Sequence, residues 1–164
     1  MLRDYSRIYD APKLPAIYAL YGGTSRNKYI AYVGIGGDLR SRLVQHFINR
    51  DSSVTTGTSA VALNPDFISE LVWWEDEEFG KREHLEAAEL VAFDVLDPSL
   101  RSRGRPSKAA IEIRSNMEFV ERIKSLLENK PSGKIIFPSI SNLTARLDAI
   151  EARLNRLENR VYFE

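Results

Sequence analysis

Cysteine is absent from the 164 residues. This removes disulfide frameworks and thiolate metal sites, and leaves oxygen and imidazole as the side-chain metal ligands, the donor set of magnesium-type sites. Net charge is absent too, since 23 Lys and Arg balance 23 Asp and Glu. No global field then steers a polyanion to the chain, and any site for one must be local. No apolar run nears the ~20 residues that cross a bilayer. The start, Met1-Leu2-Arg3-Asp4-Tyr5, lacks the cationic end and apolar stretch of a secretory signal. These absences predict a soluble, cytoplasmic chain with no membrane partner. What is present, 43% hydrophobic and 28% charged residues, fits one globular core with an appendage.

Residues 16–21 and 28–33 are rich in β-formers, and Gly22 to Asn27 between them is turn chemistry, which predicts a hairpin. Gly34 and Gly37 break the second strand. Asp38 then suits the N-cap of a helix through Leu39, Leu43 and Phe47 that ends near Arg50. After a polar stretch from Asp51 to Ser59, residues 67–74 suggest a third strand. Leu85, Ala88, Ala92 and Leu96 then repeat at helical spacing until Pro98. The predicted fold class is α+β, a ββαβα core over 1–101 with an antiparallel sheet flanked by helices. A single further helix is predicted over 107–129 within a 102–130 segment, then a linker over 131–138. Over 139–164, Leu143, Leu147, Ile150, Leu154, Leu157 and Val161 step by 4, 3, 4, 3 and 4. That spacing predicts a coiled-coil helix and a homo-oligomer through residues 143–161. The alternative for three heptads is a helix docked on its own domain.

Glu89 stands out because helical geometry projects it among Leu85, Ala92, Phe93 and Leu96 on an apolar stripe. A carboxylate there needs a partner, either a core arginine or a cation. Arg42 and His46 lie four residues apart and share a helix face. A guanidinium and an imidazole together suit a phosphate, although a solvated face is the bland reading. Tyr18 and Tyr32 sit on the two hairpin strands, where tyrosines ordinarily pack. Trp73 and Trp74 point to opposite faces and read as core. His84 has no identifiable partner and reads as surface.

Together, Ala16-Ile17-Tyr18, Tyr32-Val33-Gly34, Arg42 eight residues after Gly34, His46 four later, and Glu89 nine before Pro98 resemble the GIY-YIG nuclease family. The resemblance covers about residues 14–101. It departs at Ala16, where the family's motif has glycine, and at Arg101, where the family commonly has asparagine. It implies an endonuclease hydrolysing phosphodiester bonds in DNA, with Tyr18, Tyr32, Arg42, His46 and Glu89 as catalytic residues. Glu89 would hold a divalent cation, Mg²⁺ or Mn²⁺. Arg101 to Lys108 holds four cations in eight residues, the densest local phosphate tracker, and its Arg-Gly-Arg-Pro core resembles an AT-hook. Arg40, Arg101, Arg103, Arg105 and Lys108 are thus the candidate DNA contacts, with a solvated linker as the bland reading. Oligomerisation suggests a restriction or defence enzyme cutting both strands. Two rival readings keep the fold: a weakly active or inactive DNA-binding scaffold recruiting a partner through the coiled coil, or mainly an oligomerisation module.

Overall fold

A computed structural model of the chain describes residues 5–24, 26–52, 55, 63–101, 104–138 and 140–161. Strands β1 (Ala16–Gly23) and β2 (Lys28–Gly36) form the expected antiparallel hairpin, and β3 (Ile68–Trp74) pairs antiparallel with the other side of β1. Gly23 takes a left-handed φ of 85°, which the turn between β1 and β2 needs and side-chain-bearing residues resist. A short β4 (Leu100–Arg101) adds parallel to β2, and β5 (Gly133–Ile136) adds antiparallel to β3, giving the order β4-β2-β1-β3-β5. The sheet is therefore mixed rather than antiparallel. Pro98 stops the preceding helix and the chain re-enters beside Tyr32 and Val33, which sets the parallel direction. Part of the segment read as a linker is the edge strand β5, held by Ile135, which is buried, while Ile136 stays exposed.

Helix α1 (Leu39–Val44) is capped by Asp38, whose carboxylate accepts from Ser41 N at 3.0 Å, and it continues into a π-turn over Gln45–Asn49. Arg50, in the left-handed region at φ 54°, ends it where the sequence places the stop. Helix α2 (Arg82–Leu96) packs the opposite face of the sheet. The helix expected over 107–129 is two, α3 (Lys108–Arg114) and α4 (Met117–Glu128). Asn116 makes the break, because its side chain accepts from Glu118 N and Phe119 N and caps α4 anew. The last helix is α5 (Ile140–Val161). Among the described residues no helix is long and apolar enough to cross a membrane.

Strand alternation divides the core. Tyr18, Leu20, Tyr32 and Trp73 face α1 with Leu39, Leu43 and Phe47, while Ile17, Ala19, Val33 and Trp74 face α2 and α4. Both tryptophans are buried, as expected of adjacent strand positions. His84, expected at the surface without a partner, instead meets Glu78 at 2.9 Å and sets its ring edge-on to Phe119. The partner lies in a 3-10 turn, Glu77–Gly80, whose path the helical pattern does not reveal.

Candidate active site

The strand register brings the two tyrosines together. Tyr18 stands opposite Gly34 and Tyr32 opposite Leu20, so both project from the same face as diagonal neighbours with ring centroids 6.0 Å apart. Gly34 is what lets their hydroxyls meet: a Cβ there would lie 2.8 Å from the Tyr18 oxygen and 2.9 Å from the Tyr32 oxygen. Both rings are buried and unable to swing aside. Gly34→Ala is therefore expected to overpack the pair, lowering stability by about 1–3 kcal/mol and displacing both hydroxyls. A melting curve and the assay described below would check this, and an alanine variant with unchanged melting and cleavage would refute the close approach.

Helix α1 covers this pair with Arg42 and His46 on one face, as the four-residue spacing requires, but at different depths. His46 is completely buried, whereas Arg42 is partly exposed and donates to Gln45 Oε1 at 2.9 Å. The Tyr18 hydroxyl lies 2.5 Å from His46 Nε2, and His46 Nδ1 lies 2.7 Å from Ser52 Oγ. Burial, reinforced by the Tyr32 hydroxyl, holds the Tyr18 pKa well above its usual value against the pull of Arg42. Burial, then the Arg42 charge, pushes His46 down to about 3, so its ring is neutral. A protonated tyrosine donates, which makes Nε2 the acceptor and puts the ring proton on Nδ1, toward Ser52. Thr55 Oγ1 donates to Ser52 O at 3.0 Å and lies 2.8 Å from Ser52 Oγ, which leaves the Ser52 hydroxyl placed to donate to Thr55 Oγ1. The result is one directed chain from Tyr18 through His46 and Ser52 to Thr55.

A cleft of about 450 Å³ opens between α1 and α2 across the end of β2, and Tyr32, Arg42 and Glu89 line it. Tyr18 and His46 do not line it; they lie behind Tyr32 and Arg42 and reach the cleft only through them. Among the described residues Glu89 has no core arginine as partner. Its Oε1 is buried without a hydrogen bond, and burial, with the nearby Glu86 charge adding to it, raises its pKa to about 7 against the pull of Arg42. Among the described residues no three acidic or imidazole side chains cluster. A metal here would take one protein oxygen, from Glu89, and fill its shell with water and phosphate oxygens, an arrangement that suits Mg²⁺.

Two cleft residues were not evident in the sequence. Arg82 and Glu86 share the face of Glu89 at seven and three residues' remove, and that helical spacing is the signal that could have exposed them. Glu86 accepts from Arg82 Nε at 2.8 Å and from Ser107 N at 3.1 Å, which keeps its carboxyl ionised. That second bond pins the 104–107 segment against α2, and Arg105 joins the cleft wall. Three of the other cations expected to contact DNA are elsewhere. Arg101 lies over the Phe93 ring beside Phe93 O and Asp97 at the end of α2, Arg40 donates to Ala11 O at 2.8 Å, and Lys108 is exposed at the start of α3. Arg103 lies outside the described residues. No family model, curated protein or solved structure matches the chain.

Proposed function

We propose that the chain is a metal-dependent endonuclease of the GIY-YIG kind, hydrolysing phosphodiester bonds of DNA in the cleft between α1 and α2. The observation that carries this reading is the meeting of Tyr32, Arg42 and an unpartnered Glu89 oxygen, brought from three separate elements into one concave site. Buried charge without a partner is costly and recurs where a cation or substrate completes the set.

Glu89 is the residue to hold the divalent cation, which when bound offsets charge on the scissile phosphate and on the leaving oxygen. Arg42 faces the same space and neutralises charge that develops on the phosphoryl group through a fixed pair of N–H donors. Tyr32, the tyrosine at the cleft wall, orients the attacking water. Tyr18 and His46 act through it: the neutral His46 ring accepts a hydrogen bond from the Tyr18 hydroxyl, and the uncharged buried pair fixes the position of Tyr32 at the cleft wall. Arg82 and Arg105 flank the site and suit phosphates on either side of the scissile one.

A second reading, a DNA-binding groove that does not cut, is favoured by one feature: three arginines, 42, 82 and 105, face the cleft, and both tyrosines are held protonated. Incubating the protein with supercoiled and linear DNA, with and without Mg²⁺ or Mn²⁺, separates the two. Metal-dependent nicks and breaks are expected, with Tyr32→Phe slowed by about 10²–10⁴ and Tyr18→Phe slowed less. Wild-type rates in both variants would overturn the tyrosine roles. Binding without cleavage on several DNAs would favour the groove.

A further inference from the structure

Helix α5 presents an apolar stripe that none of the described residues covers. Leu143, Leu147, Ile150, Leu154 and Leu157 are between 48% and 65% exposed, and the helix meets its own domain at the turn Pro65–Phe67. Docking on that domain, the alternative the short heptad run left open, would have buried the stripe. A lone helix of this length is marginal in water, and its 4-3-4-3 steps stay on one face only when the helix winds at 3.5 residues per turn around a partner.

The charges beside the stripe select that partner. With Leu147 and Leu154 at heptad a and Leu143, Ile150 and Leu157 at d, Arg146 and Arg153 fall at g and Glu151 at e. The sequence repeats the pattern with Glu158 at the next e and Arg160 at the next g. In a parallel, in-register pair each g residue faces the e residue five positions on in the other helix. Arg146 then meets Glu151 and Arg153 meets Glu158, each twice by symmetry. In an antiparallel pair g meets g and e meets e, so arginine would face arginine and glutamate would face glutamate. Self-complementarity of this kind is what a two-fold contact between identical chains requires.

We infer that α5 pairs with α5 of a second copy of this chain as a parallel, in-register two-stranded coiled coil. The partner is the chain itself, and the pairing sets both sheet domains at the same end of the coil. The inference rests on α5 alone and stands or falls apart from the reaction assigned to the cleft.

Sedimentation equilibrium of the full chain is expected to give twice the 18.7 kDa chain mass. Leu147→Asp with Leu154→Asp should give the single mass, with the near-ultraviolet signal of buried Trp73 and Trp74 unchanged. Orientation is read separately. Glu151→Arg with Glu158→Arg turns every cross-strand pair repulsive in the parallel arrangement, weakening association at least tenfold, and exchanges one repulsion for another in the antiparallel one. Because the chain has no cysteine, Leu143→Cys offers a single thiol. Parallel pairing stacks the two copies of it at d, and oxidation with diamide links the dimer. Antiparallel pairing sets a opposite d, so Leu143 faces Leu154 and its two copies lie at least about 16 Å apart along the axis, beyond disulfide reach. A monomeric wild type, a trimer or tetramer, or failure of Leu143→Cys to link while a mixture of Leu143→Cys and Leu154→Cys does link would each overturn the inference.

Discussion

Glu89→Gln is expected to abolish metal-dependent cleavage, a loss of at least about 10³, while making the metal-free protein more stable above neutral pH. The two effects share one cause. Burial holds the Glu89 carboxyl up to about 7 against an ordinary value of 4.5, so the native state keeps a proton that the unfolded chain releases. With the folded pKa the higher one, the contribution of Glu89 to stability is full below 4.5, falls as pH rises through that window, and is lost above 7. Glutamine has the same shape and never ionises, so the difference between variant and wild type should be small at pH 5 and reach about 1–3 kcal/mol at pH 8. At roughly 2–4 °C per kcal/mol, melting curves resolve it. Mg²⁺ should raise the wild-type melting temperature at pH 8, where the carboxylate is ionised, and leave Glu89→Gln unmoved. Equal melting of the two proteins at both pH values, with no Mg²⁺ effect on either, would show Glu89 to be an ordinary surface carboxylate.

Arg42→Met should slow cleavage by about 10²–10³, the scale of one preorganised donor to a developing oxyanion, and should also raise the pKa of His46. Burial is the larger reason that His46 stays neutral down to about 3, and the Arg42 charge is the second. Removing the guanidinium leaves the first in force, so the imidazole moves up without reaching its ordinary 6.5. The chain has two histidines, so a His84→Gln background leaves a single imidazole to follow by NMR. The folded pKa of His46 lies below its unfolded value. Its contribution to stability is therefore present above 6.5 and lost as pH falls toward 3, opposite in sign to that of Glu89. Between 4.5 and 6.5 the two oppose each other in the wild type. Glu89→Gln exposes the His46 slope alone, and adding Arg42→Met narrows the pH window over which it acts. Wild-type cleavage by Arg42→Met, or a His46 titration that does not move, would detach the guanidinium from the site.

Local chemistry made several elements legible. Turn residues 22–27 gave away the hairpin, the Asp38 cap the start of α1, and the Leu85, Ala88 and Ala92 spacing α2, because each signal lies within one element. The break at Asn116 was equally local and was masked by a continuous apolar pattern on both sides. β4 and β5 were hidden for another reason. Two- and four-residue edge strands are defined by the partner they add to, and neither Leu100–Arg101 nor Gly133–Ile136 has an alternation long enough to declare itself.

The candidate site divides along the same line. Helical geometry alone put Glu89 on an apolar stripe and Arg42 and His46 on one face, whereas Tyr18 and Tyr32 read as packing residues and joined the set only through the resemblance to a nuclease family. The heptad steps and flanking charges of α5 were likewise written in the chain, since a helix repeats its faces at a constant period. Depth was decided only by tertiary packing. Whether a residue lines the cleft or sits behind it depends on how α1, α2 and β2 meet, and their site residues lie up to 57 positions apart. That meeting put Tyr32, Arg42 and Glu89 at the cleft wall and Tyr18 and His46 out of reach behind them. It supplied Ser52 and Thr55 to the imidazole, and through Glu86 it drew Arg105 to the cleft while Arg101 stayed at the end of α2. Sequence spacing determines direction along an element, whereas burial and the pKa values that follow from it belong to the packed whole.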